Sequence, residues 1–134
     1  MKLVGIDIAK YEHAAFIMEA STGESLCDPF FFKNNKEGFK KLYTELNKYS
    51  KNELLIGMED TGHYNFAIES SLLAEGYKVA LINPITTKSL RKASLKSVKS
   101  DKEDALLITK ALLDKAYYRI ISIQDEKLKE AKEL

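Results

Sequence analysis

Four acidic side chains stand where carboxylate chemistry could be done. They are Asp7 in Gly5-Ile-Asp-Ile-Ala-Lys10, Glu59 in Leu54-Leu-Ile-Gly-Met-Glu59, and Asp101 with Asp104 in Ser100-Asp-Lys-Glu-Asp-Ala105. The first two interrupt apolar, strand-like runs. The last two are three apart at the expected start of a helix. A carboxylate beside a buried element is costly unless it is paired, hydrogen-bonded or bound to metal. Gathered at one end of a sheet, four of them would form a site for a hard cation, Mg²⁺ or Mn²⁺, suited to phosphate chemistry.

Each acid also has a plainer reading. Asp7 could end a strand and cap a turn with Lys10 as partner. Glu59 could face solvent, although sites in α/β sheets gather at the carboxyl ends of strands. Ser100 and Glu103 form a capping box, and acids in a first helical turn favour the helix dipole. The capping box accounts for Glu103 but leaves the spacing of Asp101 and Asp104 unexplained. Residues i and i+3 share a helix face, so both could turn toward one ion.

The elements that must position these groups follow from periodicity. Residues 2–9, 13–20 and 25–33 read as three strands with short connections, an antiparallel meander. Asn35 or Asn34 caps a helix from about Lys36 to Ser50, with Phe39, Leu42, Tyr43, Leu46 and Tyr49 at helical spacing. Leu54–Met58 is a strand ending at Glu59. Tyr64–Glu75 is a helix closed by Gly76, and Tyr77–Ile82 is a strand stopped by Asn83-Pro84. The strand–helix–strand rhythm of the second half implies parallel pairing. A mixed five-stranded α/β sheet flanked by helices is expected, its first three strands antiparallel. A helix should run from Ser100. Tyr117–Ile123 fits a short strand or a helix link. Residues 1–123 make one domain, and 124–134 read as the start of a C-terminal helix or coiled coil, cut short.

Between Glu75 and Asp101 there is no acidic residue. If 86–99 is helical, Lys88, Lys92, Lys96 and Lys99 share one face, with Arg91 at its edge and Thr86, Leu90, Ala93 and Ser97 opposite. A basic stripe beside an acidic pocket suits a polyanion held while metal acts on it. A solvated lysine face is the plainer alternative. Tyr64, beside the Glu59 turn, is a candidate substrate contact. His13 and His63 are too few and too far apart for zinc.

The chain has 134 residues and a formal net charge of +1, so total charge does not announce a nucleic-acid partner. Cys27 is the single cysteine, which excludes an intrachain disulfide and a cysteine-based zinc site. The short N-terminal apolar run contains Asp7 and does not read as a signal peptide, and no apolar run is long enough for a bilayer, so no membrane partner and a cytoplasmic location are expected.

Gly-Ile-Asp7-Ile-Ala-Lys, Met-Glu59-Asp-Thr-Gly-His-Tyr64, Ile-Asn83-Pro84 and Lys-Ser-Asp101-Lys-Glu-Asp104-Ala together resemble the N-terminal domain of the DEDD transposases of bacterial insertion sequences, the "one-ten" group of RNA-guided recombinases. The resemblance covers nearly the whole chain, in order. It implies a ribonuclease H-like fold of the RuvC type. It implies Asp7, Glu59, Asp101 and Asp104 as the metal-binding DEDD carboxylates, and DNA strand cleavage and exchange in transposition as the activity. It further implies DNA and a guide RNA as partners and a homo-oligomeric full-length protein. Asp60 departs from the family, which usually has a small residue there. Family members continue through a coiled coil into a domain supplying a nucleophilic serine, so this chain would carry half of a composite site.

Other classes remain in play. A stand-alone Holliday-junction resolvase or ribonuclease H-like nuclease would use the same acids. A non-enzymatic nucleic-acid-binding module would keep them as structural groups. Sugar-kinase and actin-like ATPases also open on a Gly-Ile-Asp strand, but they need a later Asp-x-Gly phosphate motif placed after another hairpin and usually about twice this length across two lobes, and neither is expected here.

Overall fold

A computed structural model describes residues 1–93 and 101–123, and for Asp101 and Lys102 the backbone only. The elements run β1 (Lys2–Asp7), β2 (Glu12–Glu19), β3 (Phe30–Lys33), α1 (Lys36–Leu46), β4 (Leu54–Glu59), α2 (Phe66–Ala74), β5 (Lys78–Ile82), α3 (Pro84–Ala93), α4 (Asp101–Ala111) and β6 (Tyr118–Ile121). The strands form one mixed sheet in the order β3-β2-β1-β4-β5-β6. β1 is antiparallel to β2, and β2 to β3. β1, β4 and β5 run parallel.

The sheet has six strands where the sequence predicts five. β6 joins antiparallel to β5, pairing Val79 with Ile121 and Ile82 with Tyr118. Its four residues are half exposed, as an edge strand permits, and too few to fix a period by themselves. β3 is shorter than the predicted 25–33. Pro29 has no N–H for the ladder, so pairing begins at Phe30, and Ser25 makes only an isolated bridge to Met18. α1 stops at Leu46, beyond which Lys48 and Tyr49 bond back only three residues, to Glu45 and Leu46. Its cap is Asn35, whose Oδ1 accepts the Gly38 N–H at 2.8 Å. The helix before Gly76 begins at Phe66 rather than Tyr64, and Gly76 takes φ +87° as the position after a helix requires.

Alternation along the strands gives the sheet two apolar faces. On one, Val4, Ile6, Ile17, Ile56, Met58 and Val79 pack with Phe39, Leu42 and Leu46 of α1 and Ile68 and Leu72 of α2. On the other, Leu3, Phe16, Leu55, Ala80 and Ile82 pack with Ala105, Ile108 and Ala111 of α4 and with Leu112, which follows it. The central strands are therefore buried on both sides.

α4 presses unusually close to this second face. Gly5 and Gly57 are register partners on β1 and β4. A Cβ on Gly5 would lie 2.1 Å from Thr109 Oγ1, and one on Gly57 would lie 2.4 Å from Leu112 Cδ2. Two glycines side by side make a shallow trough that only a bare backbone can supply.

Candidate active site at the carboxyl ends of β1 and β4

The trough decides where the acids meet. On β1, Leu3 and Gly5 face α4, so Asp7, two residues on, belongs to the same face. On β4, Leu55 and Gly57 face α4, and Glu59 follows them. Ile6 is register partner to Met58, which sets Asp7 and Glu59 side by side where the two parallel strands end. Asp104 precedes Ala105, whose carbonyl oxygen would stand 2.7 Å from a Cβ at Gly5. Three of the four acids picked out by the sequence thus belong to one corner of the molecule. Asp101 is the first residue of α4, three positions before Asp104, and its side chain lies outside the described atoms.

The corner is electrostatically organised by a residue expected to face a polyanion. Arg91 of α3 donates from Nε to Asp104 Oδ1 at 2.9 Å and from Nη2 to Glu59 Oε1 at 3.1 Å. The two carboxylate side chains are only 8% and 17% exposed, whereas that of Arg91 is 31% exposed and reaches the rim. Burial works against the guanidinium charge, but the hydrogen bonds and charges of Asp104 and Glu59 outweigh it and hold its pKa above the ordinary value. The planar fork of arginine suits such a two-sided contact, because Nε and Nη2 present separate N–H groups in fixed directions. The sequence signal was available: Arg91 is the single arginine in a run of lysines.

α3 differs from the expected 86–99 helix. It spans Pro84–Ala93, with Asn83 Oδ1 capping the Ile85 N–H at 2.9 Å and Pro84 in the first turn. Its inward stripe is Thr87, Leu90 and Arg91, at i, i+3 and i+4, rather than Thr86, Leu90 and Ala93. Lys88 and Lys92 are exposed. Lys96 and Lys99 lie outside the described residues, as do Ser97, the Ser100 cap and the 124–134 helix.

Around the site, the turn after Asp7 is held by a buried histidine. His13 Nδ1 accepts the Ala9 N–H at 3.1 Å, so the imidazole is neutral with its proton on Nε2. Burial lowers its pKa, and the proximity of Asn34 offsets this only in part. Lys10, the alternative partner for Asp7, lies over the Tyr11 ring at 5.0 Å. Tyr64 is exposed in the β4–α2 loop, stacked on His63 at 5.7 Å. Asp60 accepts the Gly62 N–H in a tight turn and approaches Arg119 at 3.7 Å, so it serves the loop and the β6 edge.

Among the described residues no three His, Cys, Asp or Glu side chains converge closely enough to hold a metal ion. The donor chemistry nevertheless fits a hard divalent cation. Asp7, Glu59 and Asp104 offer carboxylate oxygens on one face, with no thiolate or imidazole in the set, and a cationic group already bridges two of them.

Comparison with known proteins agrees with this architecture. T. thermophilus RuvC, solved in complex with Holliday junction substrate, has the same ribonuclease H-like fold: TM-score 0.56 at 14% identity, over 81% of this chain and 90% of that one. The IS110-type DEDD transposase family, described as Transposase, matches residues 4–134, and the chain belongs to it. It is 28% identical over 109 residues to the pilin gene-inverting proteins of Moraxella bovis and Moraxella lacunata. The match covers 80% of this chain but 33% of each of those proteins, so the chain spans about a third of their length. Among the described residues no helix is long and apolar enough to cross a membrane.

Proposed function

We propose that this chain is the nuclease-like catalytic domain of an insertion-sequence transposase, acting in metal-dependent DNA strand cleavage and exchange. One observation carries the reading: Asp7 and Glu59 end adjacent parallel strands on the face covered by α4, where Arg91 ties Glu59 to Asp104. Membership of the DEDD transposase family supports it, as does the name of the relatives, which invert a gene. In this reading Asp7, Glu59, Asp101 and Asp104 hold Mg²⁺ or Mn²⁺. When bound, the metal would supply Lewis-acid stabilisation of a phosphoryl oxygen and an activated nucleophile. The protein's own part is to fix the carboxylates on a rigid sheet edge and to hold the DNA backbone nearby.

Lys88, Lys92, Lys96 and Lys99 supply the phosphate contacts, with Arg91 at their inner edge, and Tyr64 meets substrate from the β4–α2 loop. Residues 1–123 form the domain, and 124–134 lead into a coiled coil and a serine-bearing domain that completes the site. DNA, a guide RNA and further copies of the full-length protein are the partners, in the cytoplasm.

Mn²⁺ titration of the chain tests the metal assignment. Wild type should bind the ion, and Asp7→Asn and Glu59→Gln should each weaken binding at least about tenfold. Retention of full affinity by both variants would falsify the assignment. Incubation with branched DNA separates a half-site from a stand-alone resolvase: the present reading expects binding without efficient cleavage, the alternative expects cleavage by this chain alone.

A further inference from the structure

The Arg91 bridge implies more than charge balance. It occupies the position of a cation between Glu59 and Asp104, with two charge-assisted hydrogen bonds at 3.1 and 2.9 Å. A divalent ion and the guanidinium would draw on the same carboxylate oxygens, so the two arrangements compete. Titration of the arginine cannot resolve that competition, because a guanidinium stays protonated at any physiological pH. Only an exchange of partners can.

The structure supplies the alternative partner's side of the exchange. Arg91 is the most exposed member of the triad, and it sits on α3 between exposed Lys88 and Lys92. Lys88 precedes it by three residues and so neighbours it on the helix surface. A polyanion lying along α3 would offer phosphate oxygens to the same fork that now grips carboxylates, with bidentate geometry equally available.

We propose that Arg91 is a latch coupling nucleic-acid binding to metal loading: without a polyanion it fills the cation position, and a phosphodiester backbone on α3 draws it off and frees Glu59 and Asp104 for the ion. This rests on the metal site proposed above. Its consequence is that metal and DNA bind with positive cooperativity, and linkage makes the effect equal in both directions. The gain is control, since a site that holds metal less tightly in the absence of DNA is loaded mainly where substrate is bound.

The test measures Mn²⁺ affinity of the 134-residue chain at fixed ionic strength, by electron paramagnetic resonance of the free ion, with and without a short double-stranded DNA. Wild type, Arg91→Met and Glu59→Gln are compared, and circular dichroism checks that each is folded; Arg91→Lys stands in should the Met variant not fold. In wild type DNA should tighten Mn²⁺ about tenfold, within the usual range of coupling between sites. Arg91→Met without DNA should already bind Mn²⁺ about tenfold more tightly than wild type, and DNA should add little. Arg91→Lys, which keeps the charge but loses the fork, should fall between. Three results overturn the latch. One is unchanged or weaker Mn²⁺ affinity in folded Arg91→Met, with Glu59→Gln impaired; the metal reading then survives and Arg91 merely positions the acids. Another is the absence of any DNA effect on wild-type Mn²⁺ affinity. The third is equal binding by all variants, Glu59→Gln included, or binding by none, which removes the metal reading as well.

Discussion

Gly5 of β1 lies directly beside Gly57 of β4 in the parallel register, and α4 rests on the pair. This contact sets the distance between the sheet carrying Asp7 and Glu59 and the helix carrying Asp104. Replacing either glycine with alanine should therefore do two things at once. The new Cβ meets Thr109 and the Ala105 carbonyl at Gly5, or the Leu112 side chain at Gly57. Leu112 is a flexible end and can yield, whereas the backbone of α4 cannot. Gly57→Ala should cost about 1 kcal/mol and Gly5→Ala about 3 kcal/mol, the two ends of the usual range for overpacking. Urea denaturation of the two variants checks the order; equal costs would show that α4 shifts as a rigid body.

The triad of Glu59, Arg91 and Asp104 should contribute modestly to stability. Asp104 is buried, but Arg91 is nearly a third exposed, so solvent screens the pair. Asp104→Asn keeps the shape and a hydrogen-bond acceptor while removing the charge. It should cost about 1–2 kcal/mol, below the loss for a fully buried pair. Asp104→Asn combined with Arg91→Met should cost less than the sum of the singles, because Arg91→Met alone takes the guanidinium from two carboxylates, whereas the double variant takes it from Glu59 only. Thermal denaturation of the four proteins in the cycle measures the coupling.

His13 ties stability to pH. Its folded-state pKa lies below the ordinary 6.5, because burial disfavours the charged ring. The unfolded chain therefore binds the proton more readily. The full contribution is present above pH 6.5, and it drains away as pH falls through the lower folded-state value. Protonation also turns Nδ1 from acceptor into donor against the Ala9 N–H, which loosens the turn following Asp7. Wild type should lose melting temperature between about pH 7 and pH 5, and His13→Gln should lose less. Identical pH profiles would assign the acid sensitivity to other groups.

How much of this was legible beforehand depends on the range over which each signal acts. The alternation of β1 and the run Leu54–Met58 gave the strands and their terminal acids, because period two is local. Asn35 and Gly76 gave the ends of α1 and α2 for the same reason. β6 was ambiguous, since the four residues Tyr118, Arg119, Ile120 and Ile121 at a sheet edge carry no pattern of their own; β5 decides their conformation. The Gly5–Gly57 trough was not readable, because two glycines 52 positions apart become neighbours only through register. Arg91 was read by charge as one of a basic set. Its true partners come from β4 and α4, and the face of α3 that turns inward was misplaced by one residue at Thr87.

Exposed Lys88 and Lys92 on α3 make the clearest test of the nucleic-acid surface, because neither needs to be moved for folding. Each phosphate contact contributes about 0.9 to the slope of log affinity against log salt. Lys88→Ala with Lys92→Ala should therefore flatten the salt dependence of DNA binding by about 2 if both reach phosphates. Affinity should fall alike for unrelated DNA sequences, since backbone contacts carry no base information. The melting temperature should hardly move, as both side chains are solvated. Fluorescence anisotropy across a salt series gives slope and affinity together. A loss of affinity with the slope intact would mean that the lysines act on the fold of α3 rather than on phosphate, and the basic face would revert to a solvated surface.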